Sequence, residues 1–377
     1  MRLGFDATTL AGRISGVGYY TARLLQSLEA GAGDGLVERV LVLSNRDVPV
    51  ASGPRLEVLS RRRFPVRSVW MQLLLPGILR AARPDLVHFT NYLAPLATRV
   101  PYVVSVHDMT LSLVPETHTL KKRLLTSSLV PLVARAARRV LAPSESTRRD
   151  VIRLLGLDPG RVRVIPYAAS EAFRPVPEGP ARLATAYGVR PPYFLYVGTI
   201  EPRKNLCRAL RAFARVAPGL PDHQLVLVGD LGWKYAEVLA EARRPDLAGR
   251  VVLPGYVPEA DLPLFYTHAL AFVYPSLYEG FGFPVVEAMG CGAPVLTSRS
   301  SSLTEIAEGA ALLVDPLDEA ALAGAFSALA GDAGLRAELR AKGLARAAEF
   351  TWERTARETV EAYREVYEET RPAGPLP

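Results

Sequence analysis

Short runs of apolar and β-branched residues alternate with stretches of helical period along most of the chain. The first series predicts strands at Arg2–Asp6, Arg39–Leu43, Leu86–Phe89, Tyr102–Val106, Val140–Ala142 and Val162–Ile165. A second series predicts Tyr193–Val197, Gln224–Val228, Val251–Leu253, Ala271–Tyr274, Ala293–Thr297 and Ala311–Val314. Between them, Tyr19–Leu28, Leu120–Ala136 and Leu206–Val216 space their apolar residues as amphipathic helices do. This alternation predicts parallel sheets covered by helices on both faces. It fails once, over the Pro- and Gly-rich stretch Ala169–Pro180, which reads as a linker. The expected organisation is two Rossmann-like, doubly wound α/β domains, residues 1–170 and 171–350. A charged helix from Thr351 to Glu369 and a Pro-rich tail complete residues 351–377. Open parallel sheets bind ligands beyond the carboxyl ends of their strands. Two such sheets joined by a linker are expected to face a central cleft.

Composition narrows the field. At 377 residues with 49% hydrophobic and 22% charged residues, each half can bury a core without disulfides or metal. The nearly apolar run Val69–Leu79 is too short to span a bilayer, and the amino terminus reads as a first strand instead of a signal peptide. Cys207 and Cys291 are the only cysteines and have no metal-type spacing, so a reducing cytoplasm is expected. The net charge of +7 comes from dispersed arginines, with no nucleic-acid motif. Phosphorylated ligands or an anionic membrane surface remain as partners. The stretch from Arg61-Arg62-Arg63 to Arg80, with Trp70, Met71 and Leu73–Leu75, has two readings: a peripheral membrane contact, or a core-facing helix after a basic loop. The second is the better supported of the two.

The densest chemistry is in Tyr274–Pro294. A strand ends, Gly280, Phe281 and Gly282 follow on a loop, and Pro284 stands where a helix begins. The N–H groups of such a helix start favour a phosphate. Glu279 lies on the loop and Glu287 inside the helix. If both were helical they would stand about 12 Å apart, wider than the roughly 5–9.5 Å pairs of glycoside hydrolases. Two ligand-holding carboxylates, one for sugar hydroxyls and one for a ribose diol, fit that spacing better than an acid–base pair. In Gly198–Asn205, Arg203 and Lys204 stand at the expected start of a helix, where two cations suit a diphosphate leaving group. No DxD occurs to hold a nucleotide-bound metal, so metal independence is expected.

In the first half, His107 and Asp108 follow a strand. Asp108 either orients the imidazole or caps the next segment. Gly16 and Gly18 open a helix and give the backbone close access to a ligand, but full GxGxxG is absent and NAD binding is not expected. Asp230, with Gly229, Gly232 and Trp233, admits stacking on a nucleotide or ordinary core packing equally.

The run Glu279–Glu287 resembles the EX7E signature of the retaining GT-B glycosyltransferases, in particular glycosyltransferase family 4. The resemblance covers essentially the whole chain, through Ser15–Tyr20, VVSVHDM, APSESTRRDV, YVGTIEPRKNL, LVGDLGWKY, VVLPGYVPEADLPLFY and SSLTEIAEGAALLVDP. The VHD-type and GxxGW-type segments are most similar to the mannosyltransferase-B-like branch, which acts on polysaccharide or O-antigen intermediates. The resemblance implies a GT-B fold whose C-terminal helix crosses back to the first domain. It implies transfer with retention from a nucleotide diphosphate sugar to a saccharide or lipid-linked acceptor. GDP-mannose is the first choice of donor and a UDP-sugar the second. It further implies that Arg203 and Lys204 bind the donor diphosphate, that Tyr256 and Val257 hold the base, and that His107 lies by the donor sugar. The first domain would be the acceptor side and the second the donor side. A nucleotide-sugar 2-epimerase or hydrolase on the same architecture, and a non-catalytic two-domain binding protein, are the rival readings.

Overall fold

The computed structural model describes residues 1–12, 16–31, 35–59, 64–117, 129–177 and 179–370. The chain divides into two compact units: Met1–Tyr167 together with the segment from Thr351 on, and Ala168–Phe350. The boundary lies three residues before the one read from the sequence. Residues 165–177 carry no helix or strand, as their Pro content implies, but they are packed: Phe173 meets Tyr266 edge-on at 5.9 Å.

The first unit holds seven strands, β1 (Arg2–Asp6), β2 (Arg39–Leu43), β3 (Leu56–Val58), β4 (Leu86–Phe89), β5 (Tyr102–Ser105), β6 (Arg139–Ala142) and β7 (Val162–Val164). All pair in parallel, in the order β3-β2-β1-β4-β5-β6-β7. The second unit holds β8 (Tyr193–Val197), β9 (Gln224–Val228), β10 (Val251–Gly255), β11 (Ala271–Tyr274), β12 (Val295–Ser298) and β13 (Leu312–Val314). These too are parallel, in the order β10-β9-β8-β11-β12-β13. The central strands β4, β5, β8, β11 and β12 are buried throughout, which is why they appear in the sequence as mainly apolar runs, broken by His88, Ser105, Thr297 and Ser298. β3 escapes that reading because it is three residues long, at the edge, with Glu57 at its middle. β12 starts at Val295, later than the Ala293 expected.

In each sheet the order of the strands reverses once, between β1 and β4 in the first unit and between β8 and β11 in the second. Loops that diverge at such a point leave a crevice at the strands' carboxyl ends. The loops after β8 and β11 carry Arg203, Lys204 and Glu279; those after β1 and β4 precede Gly16 and contain Thr90.

Several expected helices shift. The first spans Gly16–Glu29, so Gly16 and Gly18 lie in its opening turn and not in a preceding loop. Ser15, Arg61–Arg63, residues 120–128 of the expected Leu120–Ala136 helix and the tail beyond Thr370 lie outside the described residues; 129–136 are helical. The Trp70 region forms two helices, Arg67–Leu73 and Leu75–Ala82. Trp70, Met71 and Leu75 enter the core, as a core-facing helix requires, whereas Val66, Val69, Leu73 and Leu74 are exposed.

The final helix, Trp352–Thr370, packs in the first unit. Ala356, Val360, Tyr363 and Val366 form its buried stripe at helical spacing. The Thr355 hydroxyl donates to the Pro166 carbonyl (2.7 Å), and Glu365 pairs with Arg139 (3.4 Å) and Arg163 (3.0 Å). Tyr363 reaches the middle of the sheet. Its hydroxyl lies 2.6 Å from Nδ1 of His88, whose Nε2 lies 2.8 Å from Oγ of Ser105; Tyr20 completes the chain at 3.0 Å. Burial, then the neighbouring His107, pushes the His88 pKa down to about 3, so the imidazole is neutral.

Tyr363→Phe removes one partner of a buried imidazole nitrogen. It should lower unfolding free energy by about 1–3 kcal/mol, measured by urea denaturation. A change within the error of the fit would mean that water replaces the hydroxyl.

Candidate functional site

The second unit brings the two cations and the loop glutamate together. After β8 the chain turns at Gly198 (φ +148°), and Pro202–Lys204 form a single 3-10 turn. The helix Leu206–Val216 begins only after Asn205, which sits in the left-handed region (φ 59°). Arg203 and Lys204 therefore precede that helix on a turn of their own. Asn205 holds the turn: its Nδ2 donates to the carbonyls of Pro275 (3.1 Å) and Pro316 (2.7 Å), and its Oδ1 accepts from Arg208 (2.8 Å).

Glu279 lies between the cations, Oε2 2.7 Å from Nη1 of Arg203 and Oε1 2.6 Å from Nζ of Lys204. Arg203 also pairs with Glu201 (2.7 Å) and donates to the Tyr278 carbonyl (2.8 Å). Lys204 donates to the Tyr274 hydroxyl (2.5 Å). Glu279 is 8% and Lys204 7% exposed. Burial alone would raise the Glu279 carboxyl, but Arg203 and Lys204 outweigh it and bring its pKa to about 2. Burial and the adjacent Arg203 pull Lys204 below the usual lysine range, against the pull of Glu279 and Glu201. The ordinary reading of such a cluster is a structural ion pair, yet removing a pair from water costs several kcal/mol per ion. A charged knot at a sheet's switch point is therefore a candidate binding site.

The loop carrying Glu279 is fixed from the next strand end. Ser301 Oγ accepts from the Glu279 N–H (2.9 Å), and Ser302 Oγ lies 2.9 Å from the carbonyls of both Glu279 and Phe281. Phe281 is buried against Phe283 and Phe350. Gly282 (φ +105°) precedes the helix Phe283–Gly290, which no side chain caps. The positive φ demands glycine at Gly282, where a Cβ would also press on the Leu303 side chain at 2.8 Å. Glu287 stands inside that helix with a different partner, the Tyr266 hydroxyl, which donates to its Oε2 (2.9 Å). Burial of the carboxyl raises the Glu287 pKa to about 7, despite that hydrogen bond and with Glu259 adding to the effect.

Neighbouring strand ends close around the turn. Ile200 N–H donates to the Asp230 carbonyl (2.8 Å) and Gly232 N–H to the Ile200 carbonyl (3.0 Å). A Cβ at Gly229 would stand 2.1 Å from the Gly198 carbonyl oxygen, which explains glycine there. Asp230 thus binds through backbone, and Trp233 beside it is half-buried. Tyr256 is 60% exposed after β10, while Val257 is buried.

In the first unit, His107 is half-buried and both ring nitrogens are engaged, Nδ1 with the Tyr167 hydroxyl (2.7 Å) and Nε2 with the Thr90 carbonyl (2.6 Å). Burial lowers its pKa. Asp108 does not orient the imidazole. Its Oδ1 accepts from the N–H (3.0 Å) and hydroxyl (2.6 Å) of Thr110, a local bond two residues on that leads into the turn Thr110–Leu113. Sequence reasoning missed Glu201, Tyr266, Tyr167 and Ser301–Ser302 as partners. Only the serines carried a local signal, a strand end followed at once by hydroxyls.

The chain matches the family described as Glycosyltransferase Family 4 over residues 14–169 and that described as Glycosyl transferases group 1 over residues 185–346. It is 30% identical to the O-antigen chain mannosyltransferase B of Escherichia coli, over 97% of this chain and 100% of that protein. It is 28% identical to the serotype-specific mannosyltransferase WbdA of Escherichia coli over 59% of this chain and 28% of that longer protein. In fold it is similar to a sucrose-phosphate synthase from Thermosynechococcus elongatus, at TM-score 0.77 and 21% identity, covering 98% of this chain and 100% of that one. Anabaena Alr3699/HepE in complex with UDP and glucose matches at TM-score 0.77 and 21% identity, covering 97% and 100%.

The two glutamates act on stability with opposite signs. Glu279 stabilises above its ordinary pKa, and that contribution is lost as pH falls toward 2. The folded protein keeps a proton on Glu287 that the unfolded chain releases near pH 4.5, so this group's contribution to stability weakens as pH rises toward 7. Glu287→Gln should therefore gain melting temperature relative to wild type between pH 5 and pH 8. Parallel profiles would show that the carboxyl is not held protonated.

Proposed function

The chain belongs to glycosyltransferase family 4, and from that premise we propose that it transfers a hexose from a nucleotide diphosphate sugar with retention of anomeric configuration. Mannose from GDP-mannose is the first choice, and a saccharide or lipid-linked intermediate of an O-antigen-type polysaccharide is the acceptor. The observation that carries this reading is the buried knot of Arg203, Lys204 and Glu279 at the switch point of the second sheet. Likeness to the Escherichia coli mannosyltransferase over the full length of both chains supports mannose. A UDP-sugar is the second choice.

A departing nucleoside diphosphate takes the electron pair of the C1–O bond and needs positive charge beside it. Arg203 and Lys204 supply it, so the diphosphate is held without a metal. The diphosphate also replaces Glu279 as counter-ion, while Glu201 keeps Arg203 in place. Glu279 is then free to accept from sugar hydroxyls. The N–H groups around Gly280–Gly282 face the phosphates, Glu287 takes the ribose diol, and Tyr256 and Val257 flank the base. Gly16 and Gly18, in the opening turn of the first unit's first helix, are assigned to donor binding by family resemblance. His107, neutral, serves the reacting sugar. Asp108 is turned toward Thr110 instead of the imidazole, so no nucleophile is evident beside His107 among the described residues, which suits front-face attack. In that step the acceptor oxygen bonds C1 on the face the diphosphate leaves, and the diphosphate takes the acceptor's proton. Among the described residues no helix is long and apolar enough to cross a membrane. The exposed Val66, Val69, Leu73 and Leu74, with Arg80 on the following helix, suit a peripheral contact with an anionic bilayer.

A thermal-shift panel of nucleotides and nucleotide sugars tests the donor class. Turnover should persist in excess EDTA, and Arg203→Ala or Lys204→Ala should lower it roughly 10²–10³-fold. Near-normal turnover in both variants, or loss in EDTA restored by Mn²⁺, would overturn the metal-free diphosphate site.

The glutamates should divide their work. By calorimetry with bare GDP, Glu287→Gln should weaken binding about tenfold or more, because the ribose is present in donor and product alike. Glu279→Gln should leave GDP affinity nearly intact and reduce transfer. Equal losses of GDP affinity would refute this division.

A further inference from the structure

The hydrogen bonds around His107 settle where its proton lies. The Thr90 carbonyl can only accept, so Nε2 carries the hydrogen that meets it. Nδ1 is then a bare lone pair, and the Tyr167 hydroxyl donates to it. Tyr167 is buried, its ring 4.5 Å from that of Tyr20, which in turn meets the imidazole edge-on at 5.1 Å. Burial keeps the phenol protonated, so the donor is present at every working pH.

Tyr167 is also the last residue of the first unit before the chain leaves it. One residue earlier, the Pro166 carbonyl accepts from Thr355, on the helix that begins just after the chain returns. Trp352, at the start of that helix, lies 6.4 Å from the Tyr20 ring. Both chain crossings are thus fastened to the aromatic group that holds the imidazole.

We propose that Tyr167 is a positioning residue, whose hydroxyl holds His107 in one tautomer and one ring orientation and ties both to the chain crossing. The assignment rests on the reading that His107 serves the reacting sugar. Thr90 alone fixes one nitrogen but leaves the ring free to pivot about that bond; two opposed partners fix its plane.

The test compares Tyr167→Phe with Tyr102→Phe. Tyr102 is an equally buried tyrosine of the same unit whose hydroxyl donates to the Val133 carbonyl (2.8 Å) and has no link to His107. In the full chain with ¹⁵N-labelled histidine, the His107 Nδ1 resonance should move toward that of an unbonded lone pair in Tyr167→Phe and stay in place in Tyr102→Phe. With GDP-mannose as donor, or UDP-glucose if that gives no turnover, nucleotide release should show kcat falling roughly ten- to a hundredfold in Tyr167→Phe with KM unchanged. Combined with His107→Ala, Tyr167→Phe should add nothing further. An unmoved Nδ1 resonance, or a normal kcat despite a moved one, overturns the proposal. Normal turnover in His107→Ala instead removes the premise, while the ring spectra still decide whether Tyr167 holds the imidazole.

Discussion

A carboxylate almost fully withdrawn from water is tolerable only with positive charge against it, and Glu279 meets that demand with two cations at 2.6 and 2.7 Å. Much of the second unit's local architecture follows from bringing these three side chains together. They come from loops far apart in sequence, after β8 and β11, which become neighbours because those strands pair in the sheet. Asn205 fixes one loop by bonding the backbone of the other, and Ser301 and Ser302 fix the second from the end of β12. Breaking a buried pair by removing one partner typically costs about 3–5 kcal/mol, whereas replacing the whole group with well-packed apolar residues is often neutral. Stability alone therefore gives little reason to hold these charges, and a ligand carrying its own negative charge gives a good one.

The first unit solves a related problem without charge. His88 and Ser105 sit in central strands, where a bare polar group would be costly. Tyr20 and Tyr363 satisfy them from two helices, in a relay of neutral donors and acceptors. His107 lies above this relay and is held in the same manner. One sheet thus presents a neutral, tightly oriented imidazole and the other a set of opposed charges, on the same strand-loop plan.

The sheets were legible because strands buried on both faces are rich in apolar and β-branched residues, as in YFLYV and AFVY, with single polar exceptions such as His88 in LVHF. β3 was not, since an edge strand of three residues needs no such run. Glycine and proline punctuation located the loop from Gly280 to Pro284, and two adjacent cations marked Arg203 and Lys204. The ion pairs of Glu279 and the tyrosine beneath Glu287 left no local trace, because each joins residues separated by twenty or more positions. The choice between the two roles of Asp108 was likewise invisible, being decided by where Thr90 and Tyr167 fall in space.

The return of the final helix to the first unit has a consequence for how the chain is made. Synthesis runs from the amino end, and domains generally fold as their chain emerges. The first sheet is translated early, yet Tyr363, the partner of His88, and the apolar stripe of its helix arrive only after Phe350. All of Ala168–Phe350 can emerge and fold while that earlier surface waits uncovered. The unit that begins first is thus completed only after the second has been made.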